Sequence, residues 1–209
     1  MVSRKELRMK KFIYKYNLEM LSVFLIIEFA LTMIYRTELS QGRIIAGVFA
    51  LLIMFHEWEE LRFPGGFFDL MSGPMGVDLS KVDMGKCHLP TKILILVFSV
   101  VPLIFDKAMI IVFVPIILMI FEMCVHIMGI FIHKMDKPYT PGMVTGVIMG
   151  VYAIYAAYTL LSTGLARATD ILIAIPIFFL CFMAMGLGII KLIGLNFDEM
   201  RKNMMKNKK

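Results

Sequence analysis

Residues 44–67, IIAGVFALLIMFHEWEELRFPGGF, decide how this chain is read. The first twelve carry no charge. The next five hold one His and three Glu, and Phe63-Pro64-Gly65-Gly66 then ends the helix. Proline disfavours helix in the residue before it, and glycines permit a sharp turn. Crossing a bilayer core takes about 20 apolar residues of helix, so the run reads as membrane-spanning up to its last two turns. Ionisable groups at that depth each cost about 2.5–3.5 kcal/mol on the lenient insertion scale unless they find partners. The question is which partners His56, Glu57, Glu59 and Glu60 find.

The rest of the chain fits a membrane reading. Of its 209 residues 59% are hydrophobic, against about 45–50% in a soluble domain. The net charge of +6 does not suggest nucleic acid, because the Lys and Arg residues sit at the termini and in loops rather than on a soluble basic domain. Cys87, Cys124 and Cys181 are odd in number and far apart, which implies neither a disulfide framework nor a zinc ribbon. The twenty Met read as fillers of irregular apolar gaps. The first seventeen residues are polar and basic and do not read as a cleavable signal.

Six apolar runs follow: 18–35, 44–61, 92–105, 108–133, 141–162 and 170–194. The expected fold is an all-α, polytopic membrane helix bundle with six transmembrane helices. Residues 1–17 and 195–209 form basic tails, 18–194 the membrane domain, and about 62–91 a long loop. Eighteen of the twenty-two Lys and Arg fall on the side of the two tails and of the loops after spans two and four. Only Arg36, Arg43, Lys107 and Arg167 fall on the other. The positive-inside rule therefore puts both termini and those loops in the cytoplasm, with the protein in the cell membrane.

On an α-helix, residues three and four apart share a face, so His56, Glu59 and Glu60 project together. Glu57 lies about 100° away and is expected to face solvent or headgroups. Trp58 suits an interfacial belt. Span four supplies a second stripe, Glu122, His126 and His133, within about 40° on the helical wheel. Gly129 on that stripe permits close approach. At about 1.5 Å per residue in a core about 30 Å thick, His56 and His126 both come out about 10 Å inside the cytoplasmic boundary. Helices two and four are therefore expected to meet there.

Glu28 in span one is ranked below these residues, and His88 is expected to be exposed. At the start of span five, Thr140 is a candidate N-cap and Pro141 suits the first turn. Its N-terminus is a candidate site for a phosphate or carboxylate headgroup, with Thr145 and Tyr152 sharing a face.

His56-Glu57-Trp58-Glu59-Glu60 followed by Phe63-Pro64-Gly65-Gly66-Phe67, together with Tyr139-x-Pro141-Gly142-x-Val144-Thr145, resembles the signature of the HXXEE family of small bacterial and archaeal membrane proteins. The resemblance runs over about residues 43–150. Where that family commonly has Asn and Trp, this chain has Thr140 and Phe63. The resemblance supports the motif residues as a site and implies no reaction.

Imidazole and carboxylate together suit zinc, iron or manganese. The expected ligands are His56, Glu59, Glu60, Glu122, His126 and His133. Glu59 and Glu60 are the candidates for a general base, and Tyr139, Thr140 and Thr145 for substrate contacts. The leading reading is a membrane-embedded metal-dependent enzyme, a hydrolase or an oxidoreductase, acting on a lipid or other apolar substrate. Two alternatives stay open: a small transporter relaying protons or ions through Glu122 and His126, and a non-catalytic assembly protein with a polar core.

Overall fold

A computed structural model of the chain describes residues 3–75 and 82–194. Part of the expected long loop (76–81) and the basic C-terminal tail (195–209) lie outside the described residues. Among the described residues the regular elements are helices: α1 Arg4–Ile34, α2 Gln41–Leu61, α3 Phe67–Met75, α4 Met84–Cys87, α5 Leu89–Ile104, α6 Met109–Ile132, α7 Met143–Ser162 and α8 Ala168–Ile193.

Five stretches are long and apolar enough to cross a membrane: α1, the continuous segment Met84–Ile104, α6, α7 and α8. α2 is as long, at 21 residues, but Gln41 and Arg43 at one end and the His/Glu run at the other dilute its apolar centre. It is nonetheless the hub of the bundle, packing against α1, α5, α6 and α7. Ile45, Phe49, Ala50 and Ile53 along it are all buried. α8 is peripheral, with only Ala174 and Phe178 buried among its side chains.

α1 begins earlier than the apolar run at 18. Ser3 accepts from the Glu6 N–H while the Glu6 carboxylate accepts from Ser3, a capping box that starts the helix inside the basic segment. The backbone leaves helical geometry at Tyr16. There the Asn17 side chain donates to the carbonyls of Tyr14 and Gly85, pinning α4 to the break.

Two short helices, α3 and α4, occupy what was expected to be an irregular loop. α6 and α7 pack closely because α7 offers small residues: a Cβ on Gly150 would lie 2.4 Å from the Met123 sulfur.

The start of α7 differs from the expectation. The residue before its first turn is Gly142, with φ 93°, a left-handed value that glycine adopts without steric cost. Thr140 is therefore not the N-cap, and its hydroxyl is used elsewhere.

Candidate metal centre

The last two turns of α2 carry three glutamates, Glu59 about 200° and Glu60 about 300° around the axis from Glu57, and each meets a different helix. Glu57 points at α5. It is 3% exposed and forms an ion pair with Lys92, itself 4% exposed. This corrects two expectations: Glu57 does not face solvent, and Lys92 is a buried partner rather than a loop cation.

Glu59 points at α7. Its Oε1 accepts from the Tyr139 hydroxyl at 2.9 Å and the Val144 N–H at 3.1 Å. Its Oε2 accepts from the Thr145 N–H at 2.8 Å and from the Thr145 hydroxyl. The carboxylate thus sits on the N-terminus of α7, where free N–H groups and the helix dipole favour a negative charge. It fills the place that was only a candidate for a headgroup, beside the more ordinary reading of a capped helix with a polar packing stripe. Tyr139 and Thr145, expected to contact substrate, are occupied in holding it. Burial, and then the adjacent Glu59 carboxylate, push the Tyr139 phenol up to about 12, so it remains a donor at neutral pH.

Glu60 points at α6 and meets His56, Glu122 and His126. One ligand atom from each of the four lies within 4.8 Å of the others. Glu60 Oε1 is 3.5 Å from His56 Nε2 and 3.2 Å from His126 Nε2. Glu122 Oε2 is 3.8 Å from both. The imidazole rings stand edge to face with centroids 5.0 Å apart, so α2 and α6 do bring their histidines together.

Two residues of the expected ligand set stay outside. Glu59 is turned to α7. His133 caps the far end of α6, seven residues and about 10 Å of helical rise beyond His126. It shares the stripe but not the depth.

The protonation pattern of the rings follows from their outer nitrogens. His56 Nδ1 lies 3.1 Å from the Thr145 hydroxyl, whose proton goes to Glu59. That oxygen therefore accepts from His56 Nδ1–H. His126 Nδ1 lies 3.2 Å from the Thr140 hydroxyl, whose proton goes to the His126 carbonyl. It too accepts from Nδ1–H. Thr140, expected to cap a helix or touch substrate, is thus a buried support for His126.

With Nδ1 protonated, the Nε2 atom of a neutral imidazole is a lone pair. Both Nε2 atoms are buried and lack a hydrogen-bond partner. They face two carboxylates, which also only accept when ionised. Four such acceptors around one point could hold a metal ion between them. Ligand bonds of about 2.0–2.1 Å around a tetrahedral ion place ligand atoms about 3.3 Å apart. The four distances between imidazole and carboxylate bracket that spacing, and two carboxylates with two neutral imidazoles balance a divalent charge.

The residues that frame the cluster are small where they must be. A Cβ on Gly142 would lie 2.6 Å from His126 Cε1 and 2.7 Å from Glu60 Cγ, and one on Gly146 would lie 3.1 Å from His126 Cδ2. The spacing Gly142, Gly146, Gly150 is a small-xxx-small pattern. It was available in the sequence as a sign that another helix closes on this face.

Outside the cluster, Glu28 is 6% exposed and accepts from Ser99, so it pairs with α5 rather than joining the site. His88 packs edge-on against Phe68, ring centroids 4.5 Å apart, instead of lying free. The Trp58 indole donates to Ser22 at 2.7 Å, a tie to α1 rather than to headgroups.

No curated protein and no solved structure matched the chain. A family model described as a protein of unknown function with HXXEE motif matches residues 47–159. That match covers more than half of the chain and takes in all four residues of the cluster. The chain belongs to the HXXEE-motif family.

Proposed function

We propose that the protein is a membrane-embedded metal-dependent enzyme that acts on a lipid or other apolar molecule at His56, Glu60, Glu122 and His126. The observation that carries this reading is the pair of buried, unpartnered Nε2 atoms facing two carboxylates. A buried polar atom without a partner costs about 1–3 kcal/mol, and a fold that spends this twice at one point needs something to recover it. Zinc, iron or manganese suits two imidazoles and two carboxylates. Bound there, the ion would supply Lewis acidity toward a substrate oxygen.

The chain's own groups have separable parts in this reading. Thr145 and Thr140 orient the imidazoles, as outer-shell partners of metal-ligating His commonly do. Glu60 and Glu122 supply the negative charge, and Glu60 is the candidate to take up a proton during turnover. Glu59 is given no chemical step, because four donors already engage it.

For the setting, we propose six crossings of the cytoplasmic membrane, α2 included, with both termini in the cytoplasm. The one-sided distribution of Lys and Arg supports this orientation, and so does the place of α2 among the five apolar segments.

Element analysis of purified protein tests the metal. Wild type should carry about one ion of zinc, iron or manganese per chain, and His56→Ala and His126→Ala should lose it. Wild type free of metal, after preparation with all three metals present, would count against the proposal.

A further inference from the structure

The cluster is not closed on every side by packed protein. Beside it lies a cavity of about 300 Å³. Glu60, Glu122 and His56 form part of its wall, while side chains of α3, α5, α6 and α8, among them Phe67, Phe121 and Phe182, line much of the remainder. The Phe121 and Phe182 rings stand 4.8 Å apart. Phe67 lies against the His126 ring at 5.2 Å, so α3 covers the cluster on the loop side. The space is thus largely apolar and aromatic, with His56, Glu60 and Glu122 grouped on the cluster side and Glu57, His88 and Thr91 its other polar contacts, a lining suited to an amphiphile.

Its size narrows the occupant. Ligand pockets run from about 300 to 1,000 Å³, and this one is at the lower limit. A space at that limit favours a slim occupant over a bulky one. The larger space on the molecule, about 850 Å³ between α1, α2 and α7, is a poorer candidate. It does not reach His56, Glu60, Glu122 or His126, and Glu59, Tyr139 and Thr145, three of its polar residues, are bonded to one another.

We propose that the cavity between α3, α6 and α8 binds a single hydrocarbon chain, fatty acyl or isoprenoid, with its polar end at Glu60 and Glu122. This deepens the reading of the site as one that acts on an apolar molecule: the substrate is single-chained and enters the bundle interior, rather than being handled at the lipid-facing groove.

The test is photolabelling of the full-length protein in nanodiscs. One arm uses a fatty acid carrying a diazirine at mid-chain, the other an isoprenoid alcohol carrying the same group, and the labelled peptides are mapped. At least one probe should label the segments around Phe121–Val125 and Phe182–Ile189, and the arm that does so identifies the chain type.

Val125→Trp and Met185→Trp fill the cavity from different helices, and neither residue belongs to the cluster. Each should cut that labelling by about tenfold or more, since lost burial of two methylenes alone is worth about that factor. Labelling of the exposed α8 residues Leu180 and Met183 should be unchanged. Cavity labelling absent with both probes, or insensitive to both Trp substitutions, would overturn the inference. Metal content read on the same samples separates the two proposals: labelling without metal removes only the metal, and metal without labelling removes only the chain-binding cavity.

Discussion

Glu57 and Glu59 make a useful contrast with Glu60, because all three stand within one helical turn and meet opposite circumstances. Glu57 has Lys92, and Glu59 has two N–H groups and two hydroxyls. Both acids are closed: every demand a buried carboxylate makes is met by the chain. Glu60 faces imidazole nitrogens that find no hydrogen-bond partner, beside a second acid 3.8 Å from the same two atoms. A closed acid holds helices together. An open one, kept at the same depth, is where we propose that a metal ion belongs. The difference is set by geometry, since steps of about 200° and then about 100° deliver each next glutamate to another helix.

The contrast is broken most severely at Glu57. Glu57→Gln leaves the Lys92 ammonium buried without its partner, and breaking such a pair costs about 3–5 kcal/mol. Thermal unfolding in detergent should show the largest loss of any single substitution among the three acids. The double variant Glu57→Leu with Lys92→Met should recover most of it, because two well-packed hydrophobic side chains replace the pair at little or no net cost. If the double variant stays as unstable as the single one, the pair is not a closed structural unit.

Gly142→Ala acts on the open side. The added methyl would sit 2.6–2.8 Å from His126 and Glu60 atoms on a backbone with φ 93°. The left-handed conformation alone costs about 1–2 kcal/mol, and the clash can be relieved only by moving His126 or Glu60. Metal content should fall steeply, with a stability loss smaller than that of Glu57→Gln. Gly146→Ala, with 3.1 Å to the same ring, should do the same more mildly.

Thr145→Val joins the two regions, since the hydroxyl donates to Glu59 and accepts from His56. Removing it leaves the fold its other Glu59 donors but frees the His56 ring to change tautomer. Outer-shell losses of this kind cost about 10–100-fold in metal affinity, and competition with a chelator would read it. Unchanged affinity would mean that the hydroxyl does not set the state of His56.

Part of this was legible in the residues. The apolar run at 108–133 predicts α6 nearly end to end, and a period of 3.6 pairs Glu122 with His126 and His56 with Glu60. What the wheel cannot give is the neighbour on the far side of each angle. Glu57 at 100° from His56 reads as solvated until α5 supplies Lys92. Glu59 and Glu60 both lie near the His56 face, and only the placement of Met143–Ser162 turns one of them away. His133 shows a different gap, because an angular match ignores the rise that carries it two turns from the site. Thr140 preceding a helix looks like a cap, yet Gly142 allows the chain to turn later and leaves its hydroxyl to His126.

The smallest expected effect comes from Tyr139→Phe, and it is the finest test of the contrast. The phenol supplies one of four donors to Glu59, at 2.9 Å, and the three others remain. The loss should be at most about 1 kcal/mol, and metal content should not change, since Thr145 still holds His56. The pH dependence has a definite sign. The folded phenol is pushed up to about 12 while the unfolded one titrates near 10, so the unfolded chain loses its proton first. The stability difference between wild type and variant should therefore be constant below about pH 9 and disappear between about pH 10 and 12. A Tyr139→Phe protein that lost metal as Thr145→Val does would show that Glu59 is part of the open centre, and the line between closed and open acids would have to be redrawn on the other side of it.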